Sequence, residues 1–211
     1  MSVWAVIPMK SLQLSKSRLS GALANEERSA LSLKMFFNVL NAIIPVFGPQ
    51  RIIIVSQDAT LVALARSLHL HSVRESQPGD LNGAVQQGAT YAMKRGASGV
   101  LIVFGDLPSV SSREIVRMVE MAGDQQCVVA SPDRAGTGTN ALYVSPPDTI
   151  TFMFGVNSFR KHRSEARSRG RKWSVFRCPG LAFDVDRPED VGAMEDINLA
   201  VENSLESGAV V

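Results

Sequence analysis

The sequence predicts an α/β fold, an open and mostly parallel twisted sheet flanked by helices. Three observations carry that expectation. Short continuous apolar runs, at residues 3–7, 52–55, 100–103 and 127–130, read as strands buried on both faces. Segments with apolar residues at helical spacing separate them. Strands alternating with helices in this rhythm imply right-handed crossovers within one parallel sheet.

Residues 3–7 form the first strand, and a loop carrying Lys10, Lys16 and Arg18 follows. Asn25 is placed to cap the first helix, with Glu26 and Glu27 in its first turn, where the helix dipole favours anions. Leu31, Met35, Phe36, Val39, Leu40 and Ile43 fall at helical spacing, and Pro45, Gly48 and Pro49 are expected to end that helix. Residues 52–55 give the second strand, 60–68 a helix, and 69–73 a short third strand. After a turn at 77–80, Leu81, Ala84, Val85, Gly88, Ala89 and Ala92 mark a helix face small enough to lie close to a sheet. The strand at 100–103 ends in Gly105-Asp106-Leu107-Pro108, and Ser111 with Glu114 reads as a capping box. The strand at 127–130 leads to a polar, glycine-bearing loop at 131–140. Residues 141–144 are a short strand, 158–169 a basic helix, 173–176 a strand and 183–186 another short strand. Pro188 sits at a favoured first-turn position of the last helix.

The 211 residues suffice for a single domain, with residues 202–211 a weakly patterned tail expected to fray. A net charge of +2 does not by itself point to nucleic acid. Cys127 and Cys178 form no disulfide framework and no metal-ligand spacing, which fits a reducing cytoplasm. The N-terminus shows no signal-peptide pattern. No apolar run is expected to reach the roughly 18 residues of a membrane span.

Lys10, Lys16 and Arg18 follow the first strand, where an open α/β sheet places its ligands. They read as an anion site for a nucleotide triphosphate or as a solvated basic loop. No glycine precedes Gly21 in the loop, so it is not a P-loop, and side chains would have to supply the charge. Asp106 lies just past the end of a buried strand and reads as a Mg²⁺ ligand or as a turn residue. Asp184 and Asp186 are its natural partners. On a strand they point to opposite faces, so at most one would face the site. Asp186 also reads as a helix N-cap near Pro188. The run 136–140 (Gly-Thr-Gly-Thr-Asn) and the start of the basic helix at Ser158 both offer groups suited to a phosphate or carboxylate. The basic run from Arg160 to Arg177 reads as a solvated face, or as a means of steering an anionic substrate. His162, inside that run, is either a substrate contact or a surface histidine.

Six blocks in order carry a resemblance: Ile7-Pro8-Met9-Lys10 with Lys16-Ser17-Arg18-Leu19, Asp80-Leu81-Asn82 with Ala84, and Gly105-Asp106-Leu107-Pro108. Then come Pro132-Asp133 with Gly136 to Leu142, Phe154-Gly155 with Ser158-Phe159 and His162, and Phe183 to Asp186 with Pro188-Glu189-Asp190. The chain resembles the CofC/FbiD guanylyltransferases of coenzyme F420 biosynthesis, from residue 3 to about 195. The resemblance implies a Rossmann-like, MobA-like nucleotidyltransferase fold. It also implies transfer of GMP from GTP to a phosphorylated three-carbon acid, with release of pyrophosphate. The acid would be 2-phospho-L-lactate, phosphoenolpyruvate or 3-phospho-D-glycerate.

Carried over by motif, Lys10, Lys16 and Arg18 would hold the GTP phosphates, and Asp80, Leu81 and Asn82 would lie by the nucleoside. Lys16 and Asp106 would be catalytic. Asp106, Asp184 and Asp186 would hold Mg²⁺, and Thr139, Gly155 and Ser158 would bind the acid. Met9 stands where a valine is common in the family. A homodimer and transfer of a labile product to the next F420 enzyme are compatible with this reading. A membrane or nucleic-acid partner is not expected. The competing readings are a MobA-like enzyme acting on a sugar phosphate or molybdenum cofactor, and a nucleic-acid module built on residues 160–177.

Overall fold

The computed structural model describes residues 2–77, 79–123 and 126–194. The expected tail at 202–211 lies outside them. The apolar runs form one seven-stranded sheet. Its strands are β1 (Val3–Pro8), β2 (Ile52–Val55), β3 (His71–Val73), β4 (Gly99–Val103), β5 (Cys127–Pro132), β6 (Thr139–Ser145) and β7 (Lys172–Val175). The spatial order is β3-β2-β1-β4-β6-β5-β7. Every neighbouring pair is parallel except those of β6, which runs antiparallel to both β4 and β5.

The helices are α1 (Asn25–Phe47), α2 (Ala59–Ser67), α3 (Leu81–Met93), α4 (Ser112–Ala122), α5 (Ser158–Ser168) and the short α6 (Pro179–Ala182). The sheet buries both faces, so β1, β2 and β4 are without polar side chains. Ala5 and Ile7 of β1 face a core shared with α1, α2 and α4. Trp4 and Val6 face a second core shared with α3 and α5. The small face of α3 acts as expected. A Cβ on Gly88 would stand 2.4 Å from a Val6 methyl, so this helix lies against the sheet at glycine distance.

Four local expectations are corrected. Ala24, not Asn25, is the N-cap of α1, and the Glu27 carboxylate accepts the Ala24 N–H at 2.7 Å. Pro45 does not end α1, which continues to Phe47 and stops at Gly48 (φ 68°). A proline costs a helix one backbone bond, and packing of Val39, Leu40, Ile43 and Phe47 in the core overrides that cost. By running through Pro45, α1 becomes long and apolar enough to span a membrane, against the expectation, although half of its apolar window is buried inside the protein. Residues 183–186 are not a strand. Phe183 and Val185 pack with Met35 of α1 and Met194 in a small third core, which fixes an irregular segment over the sheet's C-terminal edge.

The chain leaves β1 for β2 and β3 on one side and returns to β4 on the other. The carboxyl ends of β1 and β4 therefore flank the switch point, where open sheets bind ligands.

Candidate active site

The loop after β1 is anchored by two buried leucines, Leu12 and Leu19, in successive 3-10 turns (Leu12–Leu14 and Ser17–Leu19). Asp58, at the N-cap of α2, ties it down. One carboxylate oxygen accepts the Leu12 N–H at 2.9 Å and the Ser11 hydroxyl at 3.1 Å. The other accepts the Thr60 N–H at 2.9 Å. Burial pushes the Asp58 pKa up, but these N–H groups outweigh it and hold it below the usual carboxylate value. Asp58 is not among the site residues expected from the sequence. Its signal was an Asp before a helical pattern.

Between the two turns stands Lys16, in the left-handed region (φ 52°, ψ 39°). A non-glycine residue there is strained and needs the surroundings to hold it. What holds it is charge. The Lys16 ammonium donates to Asp106 Oδ2 at 2.6 Å and to Asp186 Oδ1 at 3.1 Å. Arg18 donates to the other Asp186 oxygen at 2.8 Å. The Lys16 side chain is only 6% exposed, whereas Arg18 is at the surface. Burial alone would lower the Lys16 pKa, yet Asp106 and Asp186 raise it above its ordinary value. Lys16 is thus an ammonium at neutral pH.

The irregular backbone at 183–186 brings Asp184 and Asp186 to the same site, where strand alternation would have separated them. Asn140 on β6 donates to Asp184 Oδ1 at 3.2 Å and to the Leu181 carbonyl at 3.0 Å. Burial, then the charges of Asp106 and Asp186, push the Asp184 pKa up. Asp186 is not a helix cap. Its own N–H at 3.0 Å, and that of Arg187 at 2.8 Å, donate to the carboxylate of Asp190, in the first turn of the last helix, which also pairs with Arg134. The sequence offers the Asn140 amide to a phosphate or carboxylate ligand, whereas its N–H groups go to Asp184 and the Leu181 and Ala182 carbonyls; such orienting roles, like that of Asp190, depend on contacts far along the chain.

Lys10 does not join this cluster. It lines a shallow pocket with Met9, Val55, Glu75, Leu81 and Ala84, at the carboxyl ends of β1 and β2. Glu75, missed in the sequence, is the carboxylate facing Lys10 there, and burial pushes its pKa up. Asp80 caps α3 by accepting the Gly83 N–H at 2.9 Å. The Asn82 amide clasps the backbone of Phe154, accepting its N–H at 2.7 Å and donating to its carbonyl at 3.2 Å. Asn82 therefore joins the first turn of α3 to the loop that carries Gly155.

That loop and β6 build the other end. Gly155 has φ 112°, open to glycine and strained for other residues. Ser158 opens α5 and donates its hydroxyl to Thr139 Oγ1 at 3.2 Å. His162, one turn on, is fully buried, which corrects the surface reading. Ser158, His162 and Ala166 form the buried stripe of α5, while Arg160, Lys161, Arg163 and Arg167 are exposed.

The family model described as "Guanylyl transferase CofC like" matches residues 3–197. The chain belongs to this family. As a CofC-like guanylyltransferase, it is a nucleotidyltransferase, and the mixed sheet is the fold of that class. It is 38% identical over 195 residues to a phosphoenolpyruvate guanylyltransferase of Rubrobacter xylanophilus, covering 92% of this chain and 94% of that one. It is 31% identical over 186 residues to a 3-phospho-D-glycerate guanylyltransferase of Colwellia psychrerythraea, covering 88% of each. Among solved structures, a Desulfovibrio desulfuricans protein assigned as a nucleotide-diphospho-sugar transferase superposes with a TM-score of 0.75 at 14% identity. It covers 93% of this chain and 87% of its own. A nucleotidyl transferase of Methanothermobacter has a TM-score of 0.66 at 16% identity, over 95% and 99% of the two chains. At such identities these structures bear on the fold alone.

Proposed function

We propose that this guanylyltransferase joins GMP from GTP to phosphoenolpyruvate, in the cytoplasm, as a step of coenzyme F420 biosynthesis. The observation that carries the choice of acid is the 38% identity, over nearly the full length of both chains, to a relative of that name. A 3-phospho-D-glycerate relative at 31% makes that acid the second reading.

The reaction's demands match the site. A phosphate oxygen of the acid attacks the α-phosphorus of GTP, the bond from that phosphorus to the β-bridging oxygen breaks, and pyrophosphate leaves. The nucleophile is already ionised, because a phosphate monoester's second pKa is about 6. A general base is therefore not required. What is required is alignment of two anions and neutralisation of charge. Lys16 and Arg18 supply cations to the triphosphate. Lys10 and the apolar wall of Leu81, Met9 and Ala84 border the nucleoside, beside Asp80 and Asn82. Glu75 offers an acceptor to the N1–H and amino donors of guanine. Thr139, Gly155 and Ser158 receive the acid.

The carboxylates fit a magnesium ion. Asp106, Asp184 and Asp186 carry three negative charges against the two positive charges of Lys16 and Arg18. Burial first, and then the repulsion of Asp106 and Asp186, keep the Asp184 pKa raised. Among the described residues no three His, Cys, Asp or Glu side chains stand close enough to hold a metal ion by themselves. Mg²⁺ ordinarily takes one or two carboxylates and completes its shell with phosphate oxygens and water. Asp106 and Asp186, backed by Asp184, would hold it, and it would draw negative charge from the reacting phosphates. The chain acts as one catalytic domain in this reading, and the exposed cations of α5 steer anionic substrates.

Pyrophosphate release, measured with GTP, ATP, CTP and UTP against each of the three acids, tests the proposal. GTP with phosphoenolpyruvate should give the highest kcat/KM. Turnover with a sugar 1-phosphate and none with the three acids would overturn it. Asp58→Ala should raise KM for GTP by about tenfold, because the lost bonds to the Lys16 loop are worth roughly 1 to 1.5 kcal/mol. The Asp58 contribution to stability is present above its ordinary pKa of 3.8 and is lost as pH falls through its lowered folded value. Acid-melting curves of the two proteins should therefore converge only below about pH 4.

A further inference from the structure

The buried imidazole of His162 spans two parts of the acid-binding end. Its Nε2 accepts the backbone N–H of Met153 at 2.9 Å. A backbone N–H can only donate, so Nε2 carries no proton. Burial first, and then the charge of Lys161, lower the His162 pKa to about 4. The ring is therefore neutral, and its single proton is on Nδ1.

Nδ1 lies 3.3 Å from Thr139 Oγ1. With the proton on Nδ1, the histidine is the donor. Ser158 donates to the same threonine oxygen at 3.2 Å. A hydroxyl oxygen has two lone pairs, and both are thereby occupied. What Thr139 has left is its own O–H. Among the described residues nothing accepts it, although Thr139 is only 3% exposed. A buried hydroxyl donor without an acceptor is costly, and a ligand oxygen would remove that cost.

We propose that His162 is a positioning residue that fixes the Thr139 hydroxyl as a one-way donor to an oxyanion of the phosphoacid. Through Met153 the same ring anchors the backbone leading to Phe154 and Gly155, so both sides of the acid pocket are set by one side chain. Phe154 meets the imidazole edge to face at 4.7 Å and keeps its plane fixed. The consequence is a pocket that prefers acceptor-only groups, an ionised phosphate or carboxylate, over a hydroxyl or an un-ionised acid. The inference rests on the assignment of Thr139 to the acid.

A double-mutant cycle separates the two. Thr139→Val, His162→Leu, His162→Asn and Thr139→Val/His162→Leu are assayed with phosphoenolpyruvate and GTP varied in turn, and their thermal melts are recorded. Thr139→Val and His162→Leu should each raise KM for phosphoenolpyruvate by about tenfold to a hundredfold, the worth of a hydrogen bond to a charged group, with KM for GTP little changed. His162→Asn keeps a donor near Nδ1 and should recover most of that loss. In the Thr139→Val background His162→Leu should add no more than about twofold, because the two act as a unit. Additive effects, or equal losses for the Asn and Leu variants at equal melting temperature, would overturn the role of His162. If Thr139→Val leaves KM for the acid unchanged, the acid assignment falls, and this inference with it. Imidazole ¹⁵N shifts give a readout apart from activity: a protonated Nδ1 and bare Nε2 at neutral pH are expected, and the opposite tautomer would refute the model of a one-way donor.

Discussion

Asp106→Asn should lower kcat by roughly a hundredfold or more, the scale of removing one electrostatic element from a preorganised site, while the protein remains folded. The substitution is nearly isosteric. An amide oxygen can still accept from Lys16, so the 2.6 Å contact survives in shape and loses its charge. Breaking a buried ion pair outright costs about 3 to 5 kcal/mol. Here the cost is far smaller, because Lys16 keeps Asp186 and the Asp106 side chain is about a third exposed. The repulsion on Asp184 also falls, so its raised pKa should move back toward the ordinary value. The check is pyrophosphate release at saturating GTP and phosphoenolpyruvate with magnesium present, alongside a thermal melt. Wild-type turnover in the variant would remove Asp106 from the catalytic set.

The fold was largely legible because its determinants are local. Strands buried on both faces are largely apolar, so β1, β2, β4 and the first half of β5 stand out as runs. The Ser111–Glu114 capping box also declares itself, with reciprocal bonds at 3.0 and 3.3 Å. The site was legible as a set of letters but not as a set of contacts. Lys16 and Asp106 are 90 positions apart and Lys16 and Asp186 are 170 apart, so their pairing exists only through the fold. Asp184 and Asp186 were read as alternating because a strand was expected. The segment is irregular because Phe183 and Val185 are drawn onto α1, and no local pattern announces that docking. His162 was hidden by its charged neighbours. The signal lay in the stripe Ser158, His162, Ala166, spaced four residues apart, which is the buried face of a helix whose other positions are cationic.

Lys16→Ala should have the larger effect on GTP. Alanine keeps a Cβ and hence the left-handed strain at this position, so the comparison isolates the ammonium. Without it, Asp106 and Asp186 face each other and the incoming triphosphate with Arg18 alone to offset them. KM for GTP should rise and kcat fall, together costing on the order of a thousandfold in kcat/KM. Lys16→Arg should not restore it, since a planar fork cannot replace a buried point charge shared between two carboxylates. The stability profile gives a second readout whose sign is fixed. The folded pKa of Lys16 is raised above its ordinary 10.5, so its contribution is fully present below that pH and is lost as pH rises through the folded value. Denaturant midpoints taken upward from pH 9 should therefore fall more steeply for the wild type than for Lys16→Ala. Parallel profiles would mean that the ammonium is not held by its carboxylates in solution. A change confined to the phosphoacid dependence would mean that the two ends of the site are exchanged, with Lys16 beside the attacking phosphate and Thr139, Gly155 and Ser158 beside the nucleotide.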